Sequence, residues 1–182
     1  MRVAFTTFAI LKKPYGNPEV QEFDDRTPAV FLEAENASGF IARARESSSS
    51  ELSNFHRDWG HWGKFCVPRF YTLGRENEND QRASTLSVWK DLQSVLAFAY
   101  SGLHMEALRK RKEWFLEPAW PSYAMWWVED DHVPTWQEAC ERLELLHDQG
   151  PTPQVFDFKK CFDAQGNAVD LKGLRDASRR AG

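Results

Sequence analysis

The chain has 182 residues, a length that suits one domain, and 42% of them are hydrophobic. Its 27 acidic residues outnumber the 23 basic ones, and a net charge of -4 argues against a nucleic-acid binder that depends on phosphate neutralisation. Eight tryptophans, all between Trp59 and Trp136, exclude disorder for most of the chain. So much rigid aromatic surface needs a core, a ligand pocket or an interface.

Two further observations concern location. No apolar run approaches the roughly 18–20 residues of a membrane span, and the first residues lack the features of a signal peptide. The three cysteines, Cys66, Cys140 and Cys161, fit neither a metal motif nor a disulfide framework, and we expect them to be inert. The sequence therefore predicts a cytoplasmic protein without membrane or nucleic-acid partners.

Hydrophobic periodicity and turn residues predict eight elements. Strands are predicted at residues 3–11, 40–45, 69–73, 123–128 and 155–158. Helices are predicted at residues 28–36, 89–115 and 136–149. The second is either continuous or broken near Ser101 and is capped by Ser84 or Ser87, and the third is capped by Thr135. Residues 75–82 are predicted to form a hairpin tip.

The order β-α-β-β-α-β-α-β predicts an α+β, ferredoxin-like βαββαβ fold with an extra helix and strand. Residues 1–160 would form this domain, with an inserted loop at about 46–66, and residues 161–182 a polar tail. An antiparallel sheet with helices on one face leaves its other face bare. We therefore expect a homodimer that covers it.

Four blocks of the sequence resemble the DUF3291 family of the dimeric α/β-barrel superfamily. They read FTTFAIL near the start, SGFIAR at 38–43, SVWKDLQSVLAFAYSGLHMEALRKRKEWF at 87–115, and AMWWVEDDHVPTWQEACERLELLHDQGPTPQVFDF at 124–158. This resemblance implies a dimeric α/β barrel. The family usually has a short turn where this chain inserts HRDWGHWGKF, so substrate choice does not carry over.

The block at 87–115 also resembles the spheroidene monooxygenase family, haem-dependent oxygenases of carotenoids. The matching residues are His104, Ala107, Arg109 or Arg111, and the pair Trp114-Phe115. This resemblance implies an oxygenase with haem as its possible cofactor and His104 as the haem-iron ligand.

His104 is the strongest candidate for a catalytic residue. At helical spacing, Tyr100, His104 and Arg111 share one face, with His104 and Arg111 about 10 Å apart along the axis. His104 would ligate haem iron or transfer protons, Arg111 would bind an anionic group, and Tyr100 would orient a substrate oxygen. The alternative is a structural histidine that hydrogen-bonds a backbone carbonyl.

The inserted loop carries two histidines with an aspartate between them. His56, Asp58 and His61 would form a 2-His-1-carboxylate metal site if they converged. Our preferred interpretation is a lid in which Trp59 and Trp62 cover the barrel mouth. On such a lid, His56 or His61 would contact substrate as a general acid or base.

Further substrate-binding candidates lie in the predicted strands. Trp126 and Trp127 are adjacent, so one faces each side of the sheet, and the one that faces the barrel interior would line the pocket. Arg43 would project from the second strand. The alternative is that these tryptophans are structural.

These observations favour an enzyme that acts on a hydrophobic or aromatic metabolite in a tryptophan-rich pocket, and among reaction types they favour an oxygenase. The alternatives are a non-catalytic binding protein for the same ligands, a cofactor-free isomerase or cyclase, and a structural dimerisation module. No nucleotide-binding, serine-hydrolase or zincin motif is present.

Overall fold

The fold is described from a computed structural model, over residues 1–46, 57–72, 81–171 and 173. These ranges hold six strands and four α-helices. In chain order the elements are β1 (Arg2–Ile10), α1 (Gln21–Asn36), β2 (Phe40–Arg43), β3 (Arg82–Trp89), α2 (Leu92–Ala99), α3 (Gly102–Trp114), β4 (Tyr123–Val128), α4 (Trp136–Gln149), β5 (Cys161–Phe162) and β6 (Ala168–Val169).

The main sheet is antiparallel and has four strands in the order β2-β3-β1-β4. This order, with helices in the β1–β2 and β3–β4 connections, confirms the predicted ferredoxin-like α+β fold. Within the described ranges the sheet stays open, so one chain does not form a closed barrel. β1 lies at the centre and pairs with both β3 and β4.

The two faces of the sheet carry different side chains, because residues alternate along each strand. Face A carries Val3 and Phe5 of β1 beside Trp89 of β3 and Met125 of β4. It packs against apolar residues of α1 and α2, among them Ala34 and Val95, and against Cys161 and Phe162. This side matches the helical layer that the sequence predicts.

Face B carries Ala4, Thr6 and Phe8 of β1 with Leu86 of β3 and Trp126 of β4. Two parts of the same chain cover it: the apolar stripe of α4, and residues 57–72, which we call the covering segment. The residues that pack there from α4 are Trp136, Ala139, Leu143 and Leu146, and from the covering segment Trp59, Trp62, Phe65, Val67, Phe70 and Tyr71.

The prediction of helices on only one face was therefore wrong. The sequence pattern placed α4 correctly but did not show which face its stripe would meet. A partner subunit is not needed to cover face B where the chain itself covers it. The homodimer stays a prediction, without the bare face that first suggested it.

The third strand was predicted at residues 69–73, and this was wrong for the residues that the structure describes. Residues 69–70 form a turn, and the strand beside β1 is instead β3, Arg82–Trp89. Most of the predicted hairpin tip at 75–82 lies outside the described residues. β3 was missed because its last four residues are buried on both faces, so that apolar and polar residues do not alternate there and the segment leads directly into a helix.

The long predicted helix at 89–115 is two helices, α2 and α3, which confirms the break near Ser101. Gly102 opens α3 with a φ of 49°, a backbone conformation that glycine adopts without strain. Neither Ser84 nor Ser87 caps α2, because both lie in β3. The N-cap is Asp91, whose Oδ1 accepts a hydrogen bond of 2.8 Å from the backbone N–H of Ser94.

Three other boundaries differ from the prediction. α1 begins at Gln21 and contains Pro28, since the i,i+4 pair of Glu22 and Arg26 and the packing of Phe23 extend it towards the N-terminus. β2 ends at Arg43. The strand predicted at 155–158 reduces to one bridge, in which Phe156 exchanges backbone hydrogen bonds with Met125.

Two predicted features at the other end of the molecule agree with the structure. Thr135 caps α4 by accepting a hydrogen bond from the backbone N–H of Glu138. β4 spans the predicted residues. Among the described residues, none forms a helix both long enough and apolar enough to cross a membrane.

The cap of α2 can be tested against the predicted one. We expect Asp91→Ala to lower the free energy of unfolding by about 1 kcal/mol, because the first turn of α2 loses its hydrogen-bond acceptor. Ser84→Ala should change it by much less, since the Ser84 hydroxyl is not a cap. Urea unfolding of both variants measures the difference, and equal losses would contradict the assignment of the cap.

Candidate functional site

The structure divides the predicted site residues between the two sides of the sheet. Trp127 lies on face A, and His104 and Tyr100 lie in the helical layer on that side. Trp126 lies on face B, where Trp59 and Trp62 of the covering segment pack against the same cluster. His56 lies outside the described residues. The residues predicted for one pocket therefore belong to two separate layers.

His104 lies in the first turn of α3, against α1 and the end of α2. Its Nδ1 is 2.9 Å from the carbonyl oxygen of Ala99, so Nδ1 carries the proton and donates, because a carbonyl only accepts. Its ring lies 4.7 Å from that of Phe98. This matches the structural alternative, and it also leaves the lone pair of Nε2 available for a proton or a metal.

Glu33 of α1 fixes the start of the same helix. One carboxylate oxygen accepts a hydrogen bond from the backbone N–H of Leu103 and the other from that of His104, both at 3.1 Å. Burial lowers the pKa of His104, while the hydrogen bond to Ala99 and the charge of Glu33 act in the opposite direction. The imidazole is therefore neutral at pH 7.

Tyr100 and Arg111 do not form the predicted row with His104. Tyr100 is the C-cap of α2, outside α3, and its ring contacts Phe158 at 5.4 Å. Arg111 is exposed and donates a hydrogen bond of 2.7 Å to the carbonyl of Leu108 in its own helix. The helix break at residue 101 separates Tyr100 from this row, because the predicted spacing holds only along an uninterrupted helix. Arg111 stays on the helix of His104, but its guanidinium is bonded to the backbone of that helix.

The covering segment holds an aromatic cluster over face B. The rings of Trp59 and Phe65 lie 5.2 and 4.9 Å from that of Trp136, edge to face. At the other end of the segment, Phe70 stacks on Trp120 at 6.2 Å. The sequence anticipated a tryptophan lid here, but it did not identify Trp136 and Trp120 as its partners.

A metal site in this segment gains no support from the described residues. His61 is exposed, and Asp58 accepts a hydrogen bond of 2.8 Å from the backbone N–H of Gly60, as in a local turn. No group of three or more His, Cys, Asp or Glu side chains converges in the ranges that the structure describes. His56, the remaining predicted ligand, lies outside the described residues.

A small cavity of about 10 Å³ lies between face B, the covering segment and α4. Ser84 of β3 and Trp136 of α4 line it, together with Cys66 and Cys140. The space suits one water-sized group or a single polar atom. A larger ligand would need the covering segment to move.

Four buried polar atoms around this layer have no hydrogen-bond partner in the described chain. They are the indole nitrogens of Trp59, Trp120 and Trp136 and the hydroxyl oxygen of Ser84. Leaving such a donor unpaired costs about 1–3 kcal/mol, so native proteins seldom keep several together without a reason. Their concentration on face B marks it as the candidate site. A polar residue in a buried strand, such as Ser84, was the available signal in the sequence.

Trp126 belongs to a polar network beside this layer. Its indole nitrogen donates a hydrogen bond of 2.7 Å to Glu138 Oε1, and Glu138 Oε2 lies 2.7 Å from Nε2 of His132. Trp126 is thus fully engaged within the protein. Trp127, on face A, likewise donates to the carbonyl of Phe162 at 2.8 Å.

Arg43 lies at the edge of the sheet beside α1. Its Nε donates a hydrogen bond of 2.7 Å to Glu35, and its guanidinium lies 4.1 Å from the ring centroid of Phe31. This bond is the main reason why the pKa of Glu35 is lowered. Arg43 borders an open groove of about 390 Å³ between α1 and β2, and its register with Ser87 and Phe5 places it on the side of face A.

The comparisons with known proteins identify one family. A family model described as a domain of unknown function (DUF3291) matches residues 2–172. No curated protein and no solved structure matches the chain. The comparisons therefore do not bear on the resemblance to spheroidene monooxygenases, which stays a prediction.

The burial of His104 predicts a pH effect. We expect NMR titration to give His104 a pKa below its ordinary 6.5, because burial disfavours the charged ring. Between these two values the unfolded chain binds more protons than the folded one, so the free energy of unfolding should fall as the pH drops through this window. A pKa of His104 at or above 6.5 would contradict this environment.

Proposed function

The chain belongs to the DUF3291 family, and we propose that it binds a hydrophobic small molecule on face B, beneath the covering segment. The observation that supports this most is the set of buried donors without partners in that layer: the indole nitrogens of Trp59, Trp120 and Trp136, and the Ser84 hydroxyl. A ligand with acceptor atoms would satisfy them while its apolar part replaces the aromatic contacts of the segment.

The covering segment is built so that it can move without breaking the sheet. Its described backbone–backbone hydrogen bonds, such as those of Trp62 to Trp59 and Tyr71 to Pro68, all close within the segment. It is held to α4 by side-chain packing and by Arg69, whose backbone N–H and guanidinium both bind Glu144. Surface ion pairs of this kind contribute little to stability, so opening costs mainly the aromatic contacts.

The chemistry of the layer indicates the class of ligand. Indole N–H groups donate only, and a serine hydroxyl both donates and accepts. The guanidinium of Arg82, which is 3% exposed, lies 5.7 Å from the ring centroid of Phe65 and adds positive charge at the same face. An aromatic or aliphatic metabolite that carries a carboxylate, sulfonate or carbonyl oxygen fits this combination.

Catalysis at His104 is the second candidate function. The observation in its favour is the fixed imidazole: Nδ1 donates to Ala99, and Nε2 keeps its lone pair on a neutral ring. Such a group transfers protons near neutral pH, as a cofactor-free isomerase or cyclase requires. An oxygenase-type reaction on a hydrophobic or aromatic metabolite stays a prediction.

Haem does not fit the described surroundings of His104. His104 lines neither the small cavity on face B nor the groove beside Arg43, and the ring of Phe98 packs on it. The proposed functions therefore do not use haem. We expect hemin to give the same Soret spectrum with the original protein and with His104→Ala. A Soret shift that is present in the original protein and lost in His104→Ala would contradict the account.

Binding on face B can be tested with a fluorescent probe. We expect anilinonaphthalene sulfonate, an aromatic ring with an anionic acceptor, to bind saturably. Trp136→Phe should weaken the binding about tenfold, because the variant keeps an aromatic ring at this position but loses the indole N–H that would donate to the charged group of the probe. The measurement is a fluorescence titration of folded protein, with folding verified by near-UV circular dichroism.

Trp114→Phe is the matched control, since Trp114 is equally buried but packs against Leu11 and Val20, away from face B. Its affinity for the probe should equal that of the original chain. Equal affinity of all three proteins would contradict the proposed site.

A further inference from the structure

Two cysteines meet at the junction of the covering segment and α4. Cys66 lies on the segment and is partly exposed, whereas Cys140 lies on α4 and is 3% exposed. The two thiols are joined by a hydrogen bond, and both line the small cavity under the segment. Two cysteines that are 74 residues apart in the sequence, neither of them in a disulfide, thus lie next to each other in the fold.

We propose that Cys66 and Cys140 form a reversible disulfide that locks the covering segment onto α4. This role differs from the sequence-based expectation that the cysteines are inert, because their spacing in the sequence gave no sign of a pair. The consequence for ligand exchange rests on the proposed function, since a locked segment keeps face B closed. The formation of the bond itself does not depend on it.

The two thiols already lie next to each other, since they share a hydrogen bond and line the same small cavity. To form a disulfide the sulfurs need to approach to about 2.05 Å, which rotation of the two side chains can supply. Gly63, three residues before Cys66, is close to Thr135 at the start of α4, so a Cβ placed on it would lie 3.6 Å from Thr135. The segment is therefore seated on α4 on both sides of the junction.

The reaction needs an oxidant, and a hydroperoxide supplies it. The thiolate of Cys66, the more accessible sulfur, attacks one peroxide oxygen, the O–O bond breaks, and Cys66 becomes a sulfenic acid. The sulfur of Cys140 then attacks that sulfur, an S–S bond forms, and hydroxide leaves with the Cys140 proton as water. The two thiols lose two electrons in total, and the peroxide is reduced to two molecules of water or alcohol and water.

The surroundings of Cys140 assign it the second role. The hydrogen bond with Cys66, together with burial and the charge of Glu144, raises the pKa of Cys140. It therefore stays protonated until the sulfenic acid forms beside it. Glu144 Oε1 lies 3.6 Å from the same sulfur as an alternative acceptor for its one proton, which holds the sulfur in place.

The bond is tested first by chemistry alone. The full-length protein is treated with hydrogen peroxide, and we expect it to lose the mass of two hydrogen atoms and two of its three free thiols. Peptide mapping should find the fragments of Cys66 and Cys140 linked, and a reductant should release them. Cys161→Ser is the matched control and should still form the link, because Cys161 lies on the other side of the sheet, where its thiol donates to the carbonyl of Asp157.

Cys66→Ser and Cys140→Ser should each prevent the link. Absence of the linked fragments in the original chain, or oxidation of Cys66 to stable sulfinic acid without a link, would overturn the proposal.

A second measurement separates the disulfide from the proposed function. Stopped-flow dissociation of anilinonaphthalene sulfonate should slow severalfold in the oxidised protein and recover after reduction, with no change in Cys66→Ser. A link that forms without slowing the probe would overturn the locking role. If the link forms but the probe does not bind at all, the proposed function fails while the disulfide stands.

Discussion

The fold depends on one strand that is buried on both of its faces. β1 pairs with β3 on one side and β4 on the other, and its residues Val3, Ala4, Phe8 and Ile10 are almost completely buried. A central strand with two apolar faces needs a covering layer on each side. The helices α1 and α2, with Cys161 and Phe162, cover face A, and α4 with the covering segment covers face B.

The two layers differ in how they are attached. The face A layer consists of helices that chain connections join to the sheet, and of the segment around Phe156, which is bridged to Met125 of β4. The face B layer combines one helix with a segment whose described backbone–backbone hydrogen bonds all close within the segment. Regions with few backbone bonds to the rest of a protein open at lower free energy than its core. A ligand would therefore reach face B at a lower free-energy cost of opening than face A.

This division changes the meaning of the tryptophans. Trp89 belongs to β3 on face A, where its indole nitrogen donates to Ser87, and Trp114 belongs to a separate apolar cluster at the end of α3. Their roles are structural. Trp59, Trp120 and Trp136 instead keep buried donors without partners around face B, which is the pattern expected where a polar atom from a ligand binds.

Much of the fold follows from local sequence signals. The alternation in β1 and β4, the stripe of α4 and the cap at Thr135 are all properties of neighbouring residues, and the structure agrees with them. β3 could not be read in the same way, because a strand buried on both faces loses its alternation. The order of elements then gave the ferredoxin-like plan even though one strand was assigned to the wrong residues.

The site was harder to predict, because it depends on contacts between distant segments. Tyr100 and His104 share a helical face only if the helix is continuous, and Gly102 interrupts it. Trp126 and Trp127 were expected on opposite faces, which the register with β1 confirms. The pairing of Cys66 with Cys140, and of Trp59 with Trp136, depends on how the covering segment lies on α4, which no local pattern encodes.

The central claim is that the covering segment opens separately from the sheet, and native-state hydrogen exchange tests it most directly. The amide hydrogens of Trp62 and Tyr71, which are bonded within the segment, should exchange through openings of clearly lower free energy than the amide of Phe5 in β1. Exchange of all three amides at the free energy of global unfolding would contradict the account, because face B would then be a sealed core.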